Sequence, residues 1–186
     1  MHPSAMTFAV SATDPEDVAF KRVLEVGSMD VNGSVRPHVE ARGPASYTGI
    51  DMRPGRGVDL VMDAAALPGE LGQQDIVIST EMLEHAADWQ AAARGMISAL
   101  APGGVLVLTT RSQGFPLHGY PEDHWRFSVE AMGAIVKAAG LDVERLEPDP
   151  DPASPGVFVK ARKPAGWTWP DVRESWDSAG VTPVTP

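Results

Sequence analysis

The residues able to do chemistry stand at the ends of apolar runs. Val23-Leu-Glu-Val-Gly-Ser-Met-Asp-Val-Asn-Gly-Ser34 passes through Glu25 to Gly27 and Ser28, then through small and polar residues to a helix start at Ser34. A parallel α/β sheet builds a nucleotide-type pocket in this way, at the carboxyl end of its first strand. Gly27 lets backbone approach a ligand where a Cβ would collide. Glu25 can reach loop amides or a ligand ammonium. Asp51 ends a second run, Tyr47-Thr-Gly-Ile-Asp51, where its carboxylate can accept from two ribose hydroxyls. Met52 can lie on an adenine face. Asp63, after a third run, can accept from an adenine amino group while the Ala64 backbone donates to the ring. Each has a plainer reading: a turn at Gly27, a turn cap at Asp51, a rim methionine at Met52, and the N-cap of a short turn through residues 64–67 at Asp63. The pattern G-x-G-x-x-G is broken, with Met29 where its second glycine would stand. That weakens a pyrophosphate-binding reading.

Further chemistry lies in residues 111–127, which leave a fifth run and contain Phe115-Pro-Leu-His-Gly-Tyr-Pro-Glu-Asp-His-Trp-Arg-Phe127. A long loop after a strand of an α/β sheet faces the binding crevice. Histidine is the natural general base near neutral pH. His118 is the first candidate, with Asp123 and His124 as alternatives. Trp125 and Tyr120 can wall a planar or apolar substrate. The plainer roles are an Asp123–Arg126 ion pair, Trp125 as a core anchor and a solvated His124. His85 reads as a packing or hydrogen-bonding residue. Asp123 with His118 and His124 imitates a metal cluster, but the spacing is unspecific and no metal is expected.

These residues must be positioned by strands and helices. Apolar runs alternate with helix-like patterns, which predicts an α/β fold. Strands are expected over 22–26, 46–50, 59–62, 75–79 and 105–110. The third and fourth are short and almost wholly apolar, as in strands buried on both faces. Thr13-Asp-Pro-Glu16 reads as the start of a short helix to about Phe20. The strongest helix runs over 88–100, capped by Asp88, with Trp89, Ala92, Ala93, Met96, Ile97 and Leu100 on one face. Ala101-Pro-Gly-Gly104 ends it. Another runs over 128–139 and stops at Gly140. Strands over 142–147 and 156–162 flank Pro148-Asp-Pro-Asp-Pro152, as an antiparallel hairpin at the sheet edge. Trp167, Trp169 and Trp176 lie in a Pro-rich tail that packs on the same domain or, alternatively, forms a homodimer contact.

Composition narrows the function. A chain of 186 residues suits one domain. A net charge of −10, from 25 acids against 15 bases without a Lys/Arg cluster, disfavours nucleic acid and anionic membrane as partners. The apolar runs are too short to span a bilayer, and the first residues do not read as a secretory signal. The lack of cysteine excludes disulfides, thiolate catalysis and Cys-type zinc sites, and is compatible with the cytoplasm.

Glu25-Val-Gly27, Gly49-Ile-Asp51, Met62-Asp-Ala-Ala-Ala-Leu-Pro68, Asp75-Ile-Val-Ile-Ser-Thr-Glu-Met-Leu-Glu-His85 and Leu100-Ala-Pro-Gly-Gly104 occur in that order. Together they resemble the successive motifs of class I S-adenosylmethionine-dependent methyltransferases of the methyltransferase type 11 group, over about residues 20–160. The resemblance implies a Rossmann-like, seven-stranded, mostly parallel sheet with helices on both faces and an antiparallel last strand. It implies S-adenosylmethionine as cofactor. Gly27 and Ser28 would line its methionine part, Asp51 its ribose and Met52 its adenine face. Asp63 and Ala64 would read the adenine edge, with Thr80 and Glu81 beside the sulfonium. The expected organisation is a methyltransferase domain over 1–163, with 1–20 as an N-terminal helix or lid, and a tail over 164–186. The expected activity is methyl transfer to oxygen or nitrogen of a small metabolite or sugar. The alternatives are a nicotinamide-linked oxidoreductase, a nucleic-acid methyltransferase, or a non-catalytic cofactor-binding homologue acting through a partner.

Overall fold

The computed structural model describes residues 1–119 and 122–184. Nine strands form two sheets among these residues: β1 (Arg22–Val26), β2 (Ser46–Asp51), β3 (Leu60–Val61), β4 (Gln74–Thr80), β5 (Leu100–Arg111), β6 (Trp125–Arg126), β7 (Asp142–Pro148), β8 (Gly156–Arg162) and β9 (Thr182–Pro183). The main sheet has the order β3-β2-β1-β4-β5-β8-β7, and β6 pairs with β9. Strands β1 to β5 are parallel, and β8 runs antiparallel to both neighbours. The expected α/β sheet with an antiparallel hairpin is present. The second hairpin strand inserts beside β5, leaving Pro148-bearing β7 at the edge, where a missing amide does least harm.

Side-chain alternation sorts the strands into two cores. Leu24, Val26, Val77, Leu106, Leu108 and Val159 face one side. Val23, Ile76, Ile78, Val105, Val107 and Phe158 face the other. The first side is covered by α4 (Trp89–Ala99) and α5 (Val129–Ala138). Asp88 caps α4 by accepting from the Ala91 amide at 2.9 Å, and Ser128 caps α5 by accepting from Ala131 at 3.1 Å. Lys163 Nζ donates to the Ile97 and Leu100 carbonyls at the end of α4, as cations do at helix C-termini. Ala101-Pro-Gly-Gly104 ends the helix as expected, but lies within β5 as an irregularity between the Gln74–Leu100 and Ile76–Val105 pairings.

The other side is covered by α1 (Pro3–Ala12), in the stretch expected as an N-terminal helix or lid, although the helix there was expected to begin only at Thr13. Ala5, Phe8, Ala9 and Ala12 are buried and repeat at three- and four-residue spacing, but three are alanines and give a weak amphipathic signal. The Thr13 hydroxyl donates back to the Ala9 carbonyl at 2.9 Å and so closes α1. The expected second helix shrinks to one turn, α2 (Pro15–Val18). The third strand is also shorter than expected. Asp59 is drawn aside to accept from the Gly49 amide at 2.7 Å and to pair with Arg36. Helix α3 (Arg36–Glu40) starts two residues past Ser34.

The tail packs on this body. In α6 (Arg173–Asp177), buried Trp176 donates from Nε1 to the Ile135 carbonyl at 3.1 Å and meets Trp89 at 5.6 Å between centroids. Trp167 donates to the Ala139 carbonyl at 2.8 Å. Strand β9 then pairs Thr182 with Arg126 and Pro183 with Trp125. No described helix is long and apolar enough to cross a membrane.

Two positions give testable consequences. A Cβ on Gly95 in α4 would lie 1.9 Å from the Ala64 carbonyl oxygen. Gly95→Ala gains about 1 kcal/mol of helix propensity, yet it should destabilise the protein by about 1–3 kcal/mol through overpacking, read as a lowered urea midpoint. Glu25 is buried in β1 and accepts from the Tyr47 hydroxyl at 2.8 Å. Burial raises its carboxyl from the usual 4.5 to about 7. The folded state therefore holds a proton that the unfolded chain releases, and this group's contribution falls as pH rises through that window. Glu25→Gln should gain stability relative to wild type between pH 4.5 and 7, by up to roughly 3 kcal/mol, and then level off. A pH-independent difference in unfolding free energy would contradict this assignment.

Candidate active site

A cavity of about 840 Å³ opens over the carboxyl ends of β1, β2, β4 and β5. The strand order changes direction between β1 and β4, where α/β sheets leave a crevice. Gly27 turns the chain there with φ +78°, and a Cβ on it would meet Met82 at 2.5 Å. The Gly27 and Ser28 amides both donate to the Ile50 carbonyl, at 2.9 and 3.0 Å. This ties the β1 turn to β2 and sets Ser28 on the wall, its buried Oγ without a hydrogen-bond partner among the described residues.

Across the mouth, Asp51 Oδ1 accepts from the Arg53 amide at 3.1 Å, while Oδ2 makes a long contact of 3.4 Å with the Met29 amide. Asp51 therefore caps its turn and keeps acceptor capacity at the cavity. Asp63 accepts from Ala65 at 2.9 Å as the cap of a turn over Ala64–Ala66, yet Asp63, Ala64 and Met62 line the same wall. Met52 is 70% exposed at the rim. Carboxylates beside methionine and alanine surface suit a ligand with hydroxyls, an apolar ring and positive charge. Glu25 also lines the cavity, but its carboxylate is held by Tyr47 rather than by the loop amides.

Thr80 ends β4 buried, and Glu81 follows with φ +53°. The Glu81 carboxylate contacts Arg111, which is 1% exposed, and accepts from the His2 amide at 2.6 Å. Arg111 also donates to Asp149 at 3.1 Å and to the Ser154 carbonyl at 3.0 Å, with Phe115 4.4 Å beneath its guanidinium. Sequence reading missed Arg111. Its only signal was a lone cation closing a strand whose other residues are uncharged.

The far wall carries histidines. His118 Nδ1 lies 3.0 Å from Asp123 Oδ2, out of line for a good hydrogen bond, while the His118 amide donates to that same oxygen at 2.9 Å. His118 Nε2 lies 3.9 Å from Glu84 Oε1. His85 packs edge-on to His118 at 4.8 Å, and its Nδ1 meets the Glu122 carbonyl. Burial lowers both histidine pKa values, so both rings are neutral near pH 7. Fully buried Glu84 accepts from the Thr110 hydroxyl at 2.7 Å, and burial raises it to about 7.

Asp123 takes the plainer of its two expected roles, the ion pair with Arg126. Burial works against its charge, but bonds from both Arg126 nitrogens hold it at about 2. A carboxylate held so low is a poor proton acceptor at neutral pH. His124 lines the cavity with its ring beside Glu122 at 3.2 Å, while its amide donates to the Glu84 carbonyl at 2.9 Å. Trp125 is anchored by donating to the Ala86 carbonyl at 2.9 Å. Tyr120 lies outside the described residues.

A family model described as a methyltransferase domain matches residues 6–146. No curated protein matches. Among solved structures, the chain is similar to Burkholderia thailandensis 1,6-didemethyltoxoflavin-N1-methyltransferase with bound 1,6-didemethyltoxoflavin and S-adenosylhomocysteine, at 15% identity and TM-score 0.68, covering 86% of this chain and 78% of that one. It is similar to the N-methyltransferase NodS of Bradyrhizobium japonicum WM9 in complex with S-adenosylhomocysteine, at 16% identity and TM-score 0.63, covering 86% and 85%. The cyclase SpnF is also similar, at 18% identity and TM-score 0.66, covering 87% and 81%. Such distant likenesses establish a shared fold. The family match displaces the nicotinamide-linked alternative, consistent with the glycine pattern broken at Met29. The chain belongs to the methyltransferase-domain family and is a class I S-adenosylmethionine-dependent methyltransferase.

Proposed function

We propose that this enzyme methylates an oxygen or nitrogen of a small metabolite or sugar, with His118 as general base. One observation carries the reading. A single cavity joins Asp51, Asp63 and Ala64 on one side to Thr80 and Glu81 in the middle and His85, His118 and Phe115 on the other. The cofactor supplies an electrophilic methyl group. Gly27 and Ser28 line its amino-acid part, Asp51 accepts from its ribose hydroxyls, Met52 covers the adenine face, and Asp63 with Ala64 reads the adenine edge. Thr80 and Glu81 border the transfer point, and Glu25 supports the wall through Tyr47. Neutral His118 takes the proton that an acceptor hydroxyl or amine gives up. Asp123, fixed by Arg126, holds the His118 backbone by accepting from its amide. His124 lies farther along the acceptor wall. The net charge of −10 argues against a nucleic-acid acceptor. Absence of cysteine fits a cytoplasmic setting.

Two measurements test this. Calorimetric titration with S-adenosylhomocysteine should show binding weakened about a hundredfold in Asp51→Ala, from two lost charge-assisted hydrogen bonds. Equal affinity would remove Asp51 from the ribose role. Once an acceptor is found by label transfer, His118→Gln should lower kcat by about 10²–10⁴-fold with cofactor affinity kept. Wild-type kcat/KM should fall as pH drops through the lowered His118 pKa, below 6.5, and the variant should lack that limb. A variant that retains it would exclude His118 as the base.

A further inference from the structure

We propose that Glu84, His85 and His118 form a binding site for a divalent first-row transition metal ion of the zinc class. Each residue offers one ligand atom, and these atoms lie within 4.8 Å of one another. Sequence analysis expected no metal, and weighed only His118 with Asp123 and His124. In the fold Asp123 is held by Arg126 and His124 turns to Glu122, while Glu84 and His85 close around His118.

Three features point to a cation rather than to packing alone. Glu84 is fully buried, and Thr110 occupies only its Oε2. Oε1 has no hydrogen-bond partner among the described residues and lies on the His118 side. An orphaned carboxylate oxygen in the interior is costly and asks for a donor or a cation. The 3.9 Å from Oε1 to His118 Nε2 is too long for a hydrogen bond.

Next, each imidazole has an oxygen near Nδ1. The Glu122 carbonyl meets His85 Nδ1 and so leaves its Nε2 lone pair free, which is how outer-shell oxygens prepare metal-binding histidines. Asp123 Oδ2 lies 3.0 Å from His118 Nδ1 but out of line for a hydrogen bond, so the His118 tautomer is not set by it. Finally, His85 and His118 line the open cavity, so an ion on three protein ligands keeps positions for water or substrate, as in catalytic rather than structural sites.

Two nitrogens and one carboxylate oxygen suit zinc and its first-row neighbours better than magnesium or calcium. Bonds of about 2.0–2.2 Å bring such ligand atoms to roughly 3–4 Å apart, so the cluster must contract by about 1 Å. An ion here faces the part of the cavity assigned above to the acceptor; it would occupy the His118 Nε2 lone pair, so in the metal-loaded protein the ion, in place of His118, would lower the pKa of a bound hydroxyl. That use rests on the proposed function. The binding itself does not.

The test uses the full chain, freed of metal with chelator and titrated with cobalt(II) by visible absorption and with zinc by calorimetry. S-Adenosylhomocysteine is titrated in parallel. One ion per chain is expected, with affinity lowered at least about a hundredfold in His85→Ala and His118→Ala and unchanged in His38→Ala, on α3. Zinc should shift the ring ¹⁵N resonances of His85 and His118 in the wild type, a readout that does not depend on a variant folding. Wild-type binding no tighter than that of the His85→Ala/His118→Ala double variant, or shifts confined to other histidines, would overturn the proposal. Cofactor binding without metal binding defeats this inference alone. Metal binding without cofactor binding defeats the functional reading alone.

Discussion

The structure around the cavity depends on one buried cation. A guanidinium taken out of water costs several kcal/mol unless its partners are close and well directed. Arg111, at the end of β5, meets that demand with hydrogen bonds to Asp149 and the Ser154 carbonyl from the β7–β8 turn, and with an ion contact to Glu81 from the end of β4 and the face of Phe115 from the following loop. Segments distant in sequence must therefore converge on one group. The network reaches α1 as well. Ser4 donates to Asp149 at 2.7 Å, and His2 Nε2 meets the Ser154 hydroxyl at 2.8 Å. The left-handed backbone at Glu81 is the local cost of aiming its carboxylate at Arg111.

Two other buried acids have no such cation. Glu25 and Glu84 stand near opposite sides of the cavity, each holding one hydroxyl, from Tyr47 and Thr110, and each raised to about 7 by burial. Apolar residues of similar volume would stabilise the fold better, so both positions carry a cost in stability near a binding site. Real sequences break local rules of this kind mostly where function requires it. The contrast with Asp123, held near 2 by Arg126, shows how environment divides chemically identical groups into reservoirs of protons and fixed charges.

The sheet supplies the frame. Parallel strands bring all their carboxyl ends to one edge, so Asp51, Gly27, Thr80 and Arg111 share one rim without any contact among them being specified. The crevice opens where the strand order changes direction between β1 and β4, and the close approach of Gly27 to Met82 tightens that corner. Strand β9 pairs with β6, so the tail steadies the loop carrying His118 and Asp123.

Much of this was legible from the chain alone. The strands Arg22–Val26 and Gly156–Arg162, the cap Asp88, the helix start at Ser128 and the stop at Gly140 follow from local periodicity and local hydrogen bonding, which need no distant partner. The rim residues Gly27, Asp51 and Asp63 were legible because a strand end is a local event whose place in a parallel sheet is determined by topology. The extent of helix α1 was not, since an alanine-rich face buries little area and signals weakly until a sheet lies beneath it. Nor was the grouping of Glu84, His85, Thr110 and His118, or the clamp at Arg111. Those depend on which strand ends are neighbours and which way each loop turns, and long-range packing decides both. The sequence by itself determined the kind of pocket, because strand-end chemistry repeats along the chain, and its resemblance to a methyltransferase family implied the cofactor. Only the tertiary structure decided which acids are paired, which are orphaned and where the histidines meet, because charge and protonation respond to neighbours that sequence distance does not reveal.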